Sequence, residues 1–473
     1  MDVAEYLVDG AVILPLVVGF LLWGYIQVHR RQQLNALKAN LPPCHSGWIP
    51  FLGCAISFGK EPLMYIKKIN DELGPVFTLY ITGNRMTYLT EEEDYSKYFL
   101  QSEYVDFQKA VHLFVANAAD ISSESFMTYH TSIHDMVKGK LATQFLPEHS
   151  VNLTKLFGNR IRQIQPEGKV ELNEFLRMVL YPCVISDLFG KETLDKQNDE
   201  KSIRQLMEKF VEYDDQFEYG TQIPQIFLRK WASAKHWLLN MFKDGILQVK
   251  SDDKTVLRSL KDTVDEKHSA NYGLLMLWAS LANAIPVAFW TVALVLHTPE
   301  VHEKVKSVIA DTLNLSVEPE FTEQVLHKLK YIRCCFLEAI RIRSPGVIIR
   351  MVIKPFQVKG YTVPAGDLLM LSPYWAHRNE TFFPEPERFY PERWIKCDFS
   401  KNEFLPGFVA FGGGRYMCPG RWYALMELHI LISLLFYKFD MKLEGKLPNH
   451  NIMHLVGVQQ PDDQCYINMQ PRS

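Results

Sequence analysis

Leu274 to Leu296, LLMLWASLANAIPVAFWTVALVL, is 23 consecutive residues without a formal charge. Such a run must either cross a bilayer or pass through the middle of a large folded body. Asn283 and Pro286 stand near its centre, where lipid would leave polar groups poorly satisfied. A second span there would also separate everything after residue 297 from the first half of the chain. The expectation is therefore a long central helix, hydrophobic all round, inside an α-rich domain. A chain of 473 residues is long enough to build that surround.

A second apolar run, Ala11 to Val28, reads differently. It lies near the amino terminus, follows Asp2, Glu5 and Asp9, and closes on His29-Arg30-Arg31. A cleavable signal would carry its basic residues in front and a small-residue cleavage site behind. Positive charge stays on the cytoplasmic side, so residues 1–31 read as a retained transmembrane anchor and residues 32–473 as a cytosolic body. Eight cysteines at 44, 54, 183, 334, 335, 397, 418 and 465 form no CxxC pair, which fits a reducing compartment and gives no zinc site. Against 51 Lys and Arg stand 54 Asp and Glu, a net charge of −3, so nucleic acid is not an expected partner.

Beyond a proline-dense segment, Leu41-Pro42-Pro43 to Gly53, the run Pro75–Thr90 alternates about Thr82-Gly83-Asn84 and predicts a β-hairpin. Helical periodicity dominates from about 93 to 270. Thr298-Pro299-Glu300 reads as a hydroxyl-capped helix start. Short strands return at 347–371. With no repeat and no linker, the body is expected to be one mostly α domain with minor β-sheets.

Chemistry concentrates in three places. Phe411-Gly412-Gly413-Gly414-Arg415-Tyr416-Met417-Cys418-Pro419-Gly420 precedes an amphipathic helix, RWYALMELHILISLLFYKF. Glycines admit positive φ and close approach to something flat, and a cysteine at a helix start is expected to favour the thiolate. A lone thiolate in such a turn can serve a haem iron; an isolated cysteine can equally be inert packing. Glu338 and Arg341, spaced i, i+3 on a helix from about Glu323, can pair. Arg393 follows in Phe389-Tyr390-Pro391-Glu392-Arg393-Trp394.

In this order these elements closely resemble the cytochrome P-450 superfamily, over essentially the whole chain. The resemblance implies Cys418 as proximal ligand of a haem, with Phe411, Gly414 and Gly420 shaping the loop and Glu338, Arg341 and Arg393 as a buried structural triad. Two departures matter. The family's Arg or His two residues before the cysteine is Tyr416 here, with Arg415 beside it. The Trp-x-x-x-Arg of an early helix is absent from Tyr129–Lys140. Arg350, with Tyr416 as a neutral donor, is the expected substitute at the haem propionates.

The family's acid–threonine pair on the central helix is replaced by Ile285 and Pro286. Proline frees the carbonyl of Ala282, four residues back, so the helix is expected to be distorted there. That leaves Asn283 as the catalytic candidate, ordering a water or binding a substrate polar group, or else bonding the freed backbone. Trp278, Leu281, Ala282, Pro286 and Phe289 are the expected pocket residues, although each could be ordinary core.

The stretch Trp278–Pro286 resembles the branch holding sterol and oxysterol 7α-hydroxylases, the sterol 12α-hydroxylase and prostacyclin synthase. GWIPFLGCAISFG and HLVGVQQPDDQC are most similar to its oxysterol 7α-hydroxylases acting on 24-hydroxycholesterol. The resemblance implies a monooxygenase of the endoplasmic reticulum membrane, serving bile acid synthesis. It would use NADPH through NADPH-cytochrome P-450 reductase, O₂, a sterol substrate and membrane lipid. A prostacyclin-synthase-like isomerase acting on a peroxide remains open, since that branch as a whole lacks the acid–threonine pair.

Overall fold

The computed structural model describes residues 24, 40–49, 51–91, 103–193, 199–250, 253–314, 317–399 and 404–472. The anchor expected over residues 1–31 lies outside the described residues, Gly24 excepted.

Helices carry most of the body. The long ones are α1 (Phe107–Ala119), α2 (Ser123–Lys140), α3 (Leu146–Ile164), α4 (Leu172–Phe189), α5 (Glu200–Asp214), α6 (Arg229–Gln248), α7 (Glu266–Leu281), α8 (Ala284–His297), α9 (Pro299–Thr312), α10 (Lys330–Arg343) and α11 (Arg421–Lys438). Several starts are fixed by side-chain oxygens on orphan amides: Asp106 accepts from Lys109 N at 2.9 Å before α1, and Ser122 from Ser125 N at 3.1 Å before α2.

Among the described residues eleven short strands make up the sheets: β1 (Cys44–His45), β2 (Val76–Ile81), β3 (Asn84–Leu89), β4 (Val105–Asp106), β5 (Gly168–Glu171), β6 (Ile348–Val352), β7 (Phe356–Val358), β8 (Tyr361–Val363), β9 (Leu368–Leu371), β10 (Phe439–Glu444) and β11 (Tyr466–Pro471). A six-stranded sheet runs β1-β2-β3-β9-β6-β4, a three-stranded one β10-β11-β5, and β7 pairs with β8. The hairpin expected at 75–90 is β2–β3, with Val76 opposite Leu89 and Ile81 opposite Asn84. Thr82 and Gly83 turn at φ 45° and 84°, the doubly left-handed turn that matches strand twist.

The uncharged run is buried by protein. Every residue from Ala284 to Val295 in α8 is buried, and 78% of the most apolar window across α7 and α8 is enclosed. Each fully buried Val, Leu or Phe there contributes about 1.5–3 kcal/mol. The helix is interrupted as expected: α7 stops at Leu281, α8 starts at Ala284, and Pro286 supplies no N–H to Ala282 O.

Three local expectations are corrected. Thr298 flanks α9, but its hydroxyl makes no capping hydrogen bond. The Glu338 helix does not run unbroken from Glu323; Glu323–Lys328 ends at Leu329 before α10 begins. Nor is α11 amphipathic, since every residue from Leu425 to Tyr437 is buried, Glu427 and His429 among them.

Candidate functional site

Glu338 and Arg341 sit on one face of α10 with fully buried side chains. Glu338 Oε2 accepts from Arg341 Nε at 2.9 Å and Oε1 from Arg341 Nη2 at 2.8 Å. Arg393 Nε reaches Oε1 at 2.9 Å, so the three residues predicted to act together do meet. Two further donors were not anticipated: Tyr390 N at 3.1 Å and Trp394 Nε1 at 2.9 Å. Both flank Arg393 in the same short motif, so the spacing that marked the arginine also placed them.

This ion cluster is wired to the cysteine loop through a residue the sequence did not single out. His377 is fully buried. Its Nε2 lies 3.1 Å from Val409 N, an obligatory donor, so Nε2 accepts and the proton sits on Nδ1, 3.1 Å from Arg341 O. Burial, then the neighbouring arginines, lower its pKa to about 3, consistent with that neutral ring. Arg341 also donates to His377 O at 2.7 Å. A continuous set of hydrogen bonds thus joins Glu338 to the entrance of the loop.

The loop itself turns on Gly412 and Gly414, at φ 70° and 68°. Cys418 N donates to Phe411 O at 2.9 Å, closing the turn. The backbone N–H groups of Gly420 and Arg421, where α11 begins, favour negative charge on the Cys418 sulfur. They act on the thiol in the expected sense, as does the Arg421 guanidinium, but the sequence expectation is corrected in its net direction. Burial outweighs them and raises the Cys418 pKa above its ordinary value. Cys418 keeps some accessible surface, whereas Cys183, Cys334, Cys335, Cys397 and Cys465 are buried. A Cβ built on Gly412 would meet nothing within 4 Å, so the loop leaves an open face.

Tyr416, two residues before the cysteine, gathers the other predicted contacts. Its ring stacks on Phe107 at 5.1 Å and meets His130 at 5.2 Å and His134 at 5.7 Å. The Arg415 guanidinium lies 5.6 Å from the same ring, and that of Arg350 lies 5.0 Å from Phe107. Arg350, Arg415 and Tyr416 are therefore gathered around the Phe107 and Tyr416 rings. The two histidines of α2 were missed, although their i, i+4 spacing was visible.

The helix break carries a second polar cluster. Asn283 does not bond the freed backbone: its Oδ1 accepts from Val458 N at 2.9 Å, in the carboxy-terminal segment. Ala282 O instead receives Gln460 Nε2 at 3.4 Å. Gly457, at φ 85°, approaches so closely that a Cβ would stand 2.1 Å from Asn283 Oδ1. Trp278 stacks on Phe217 at 3.9 Å and donates through Nε1 to Asp214 at 2.9 Å. Leu281, Ala282, Pro286 and Phe289 are all buried; Phe289 packs edge-on against Trp290 at 5.0 Å.

Asp214, at the end of α5, takes both the Trp278 donor and Gln460 Nε2, the latter at 3.1 Å. Burial pushes its pKa up to about 6, with Asp215 and Glu218 adding to the rise and His454 opposing it. The folded state therefore holds a proton that the unfolded chain has largely released near pH 4. Stability falls as pH rises through this interval and levels off above about 6. Between pH 4.5 and 7.5 the wild type is expected to lose about 2 kcal/mol more than Asp214→Asn, read by urea unfolding at several pH values. Parallel profiles would show that Asp214 ionises as it does in water.

Comparison with known proteins agrees with this geometry. A cytochrome P450 family model matches residues 42–469. The human 24-hydroxycholesterol 7-alpha-hydroxylase is 42% identical over 451 residues, covering 93% of this chain and 96% of that protein. The mouse protein of the same name is 41% identical, covering 91% and 93%. The solved structure of retinoic acid-bound cyanobacterial CYP120A1 superposes with a TM-score of 0.73 at 18% identity, covering 92% of this chain and all of that one. With the match spanning nearly the whole body and two such relatives beside it, the chain belongs to the cytochrome P450 family.

Proposed function

We propose that this P450 is an oxysterol 7α-hydroxylase with 24-hydroxycholesterol as its preferred substrate. The proposal rests on the two relatives of that name, similar over more than nine-tenths of this chain. Haem is the group the family implies, and the residues fit it. Cys418 is a lone sulfur with accessible surface, backbone amides that favour its charge, and an open glycine face alongside. Cys418 would hold the iron, Phe411, Gly414 and Gly420 would shape the loop, and Arg350, Arg415 and Tyr416 would lie toward the haem carboxylates. When bound, the haem supplies activation of O₂, with two electrons from NADPH through a separate flavoprotein reductase.

The chain's own residues do the rest. The amides of Gly420 and Arg421 stabilise charge on sulfur, offsetting part of what burial costs it. Glu338, Arg341, Arg393 and His377 hold the loop at fixed height without touching substrate. Trp278, Leu281, Ala282, Pro286 and Phe289 give the apolar wall that excludes water and seats a sterol. Asn283 has its oxygen engaged, so its Nδ2 is the donor left to bind a substrate oxygen or order a water. Residues 1–31 anchor the protein in the endoplasmic reticulum membrane, with residues 32–473 as the cytosolic catalytic domain.

The test is turnover of full-length protein with reductase, NADPH and a panel of oxysterols, products being identified by position. An NADPH-dependent 7α-hydroxylated product, formed fastest from 24-hydroxycholesterol, is the expected result. A haem-loaded protein that gives no such product but rearranges an endoperoxide without NADPH would overturn it.

A further inference from the structure

His130 offers a hydrogen-bond donor that no other described residue takes up. Its Nδ1 lies 3.2 Å from Gln108 Nε2, which also donates to Thr131 Oγ1 at 3.2 Å. An amide nitrogen only donates, so Nδ1 accepts and the ring proton is on Nε2. No described residue accepts from that Nε2–H. Burial lowers the His130 pKa to about 4, with His134 and Arg415 adding to the fall, so the ring stays neutral and keeps this tautomer.

The surroundings favour an anion. Arg350 is a buried guanidinium over the ring of Phe107, whose other neighbours are Tyr416 and His130 itself, the latter at 5.5 Å. Asp106, the acid whose charge Arg350 feels, has its Oδ1 on Lys109 N. Asp135 is exposed beside His134, 3.5 Å from its Nδ1. His134 Nε2 lies 3.3 Å from Met417 O and so donates to it, tying α2 to the residue before Cys418. His130, one turn earlier on the same helix, is thereby held beside the loop with its N–H unspent.

We propose that His130 Nε2–H, next to Arg350 and Tyr416, binds a carboxylate of the haem, a neutral donor standing in for a second guanidinium. This rests on the reading that Cys418 holds haem. A charge-assisted bond of this kind slows release of the group it holds.

The experiment follows haem transfer from purified holoprotein to excess apomyoglobin by absorbance. His130→Phe keeps a ring against Tyr416 but has no donor, and is expected to release haem about tenfold faster. His130→Gln restores a donor and should recover most of the wild-type rate. Wild-type protein carrying haem dimethyl ester should release it as fast as His130→Phe releases haem, which tests the contact even where a variant folds poorly. Equal release from wild type and His130→Phe would overturn the proposal, as would equal acceleration in the Phe and Gln variants, which points to ring packing. Wild-type protein that binds no haem at all would sink the Cys418 reading instead.

Discussion

Glu338→Ala is expected to cost about 3–5 kcal/mol of folding free energy, the range for removing one partner of a buried ion pair. The carboxylate accepts five hydrogen bonds, from Arg341 Nε and Nη2, Arg393 Nε, Tyr390 N and Trp394 Nε1. Its removal leaves Arg341 fully buried, with carbonyl oxygens of His377 and Arg388 as its remaining acceptors. Typical domains have only about 5–15 kcal/mol in hand, so a large drop in recoverable folded protein should accompany the shift. Urea unfolding checks it, with Arg388→Ala as the comparison. Arg388 pairs with Glu385 at 2.9 Å with both side chains more than half exposed, and its loss should stay within about 0.5 kcal/mol. A Glu338→Ala penalty below about 1 kcal/mol would mean that the cluster is not the keystone of this region.

Cys418→Ser should fail differently. The backbone bond from residue 418 to Phe411 O does not depend on the side chain, and one small atom is exchanged at a site that keeps accessible surface. Urea stability is expected to stay within about 1 kcal/mol of wild type. Haem content after purification should fall by about tenfold or more, and NADPH-dependent product should disappear, because the hydroxyl is a poor substitute for a thiolate on iron. Cys465→Ser, at a buried cysteine near β11, serves as the control and should keep its haem. Normal haem content and turnover in Cys418→Ser would remove Cys418 from the site.

Legibility followed distance along the chain. Glu338 and Arg341 were readable as a pair because three residues on a helix leave one geometry, and Arg393 because its motif is short and dense. The helix break was readable because proline removes a known bond. What escaped was either nonlocal or atomic in scale. Asp214 and Gln460 are 246 residues apart, and nothing in either segment names the other. The engagement of Asn283 by Val458, 175 residues on, likewise turned a group expected to face the reaction into one half-committed to a loop. His130 and His134 showed their spacing, but the unused N–H follows from a tautomer that only Gln108 reveals. The helix α11 read as amphipathic, yet its Glu427 and His429 are buried, and burial of a charged or polar residue is the exception.

The seal on the helix break has a consequence for how the molecule is made. Ala282 O, Asn283 Oδ1 and Trp290 Nε1 are satisfied by Gln460, Val458 and Gln459, residues about 170–180 positions later. While the chain emerges from the ribosome, the central helix must wait with these groups unmatched until residues 458–460 are out. Contacts of such long sequence separation form late and slowly, and the waiting intermediate exposes apolar surface. The same few residues that frame the candidate site therefore also set the moment at which the nascent protein can finish folding.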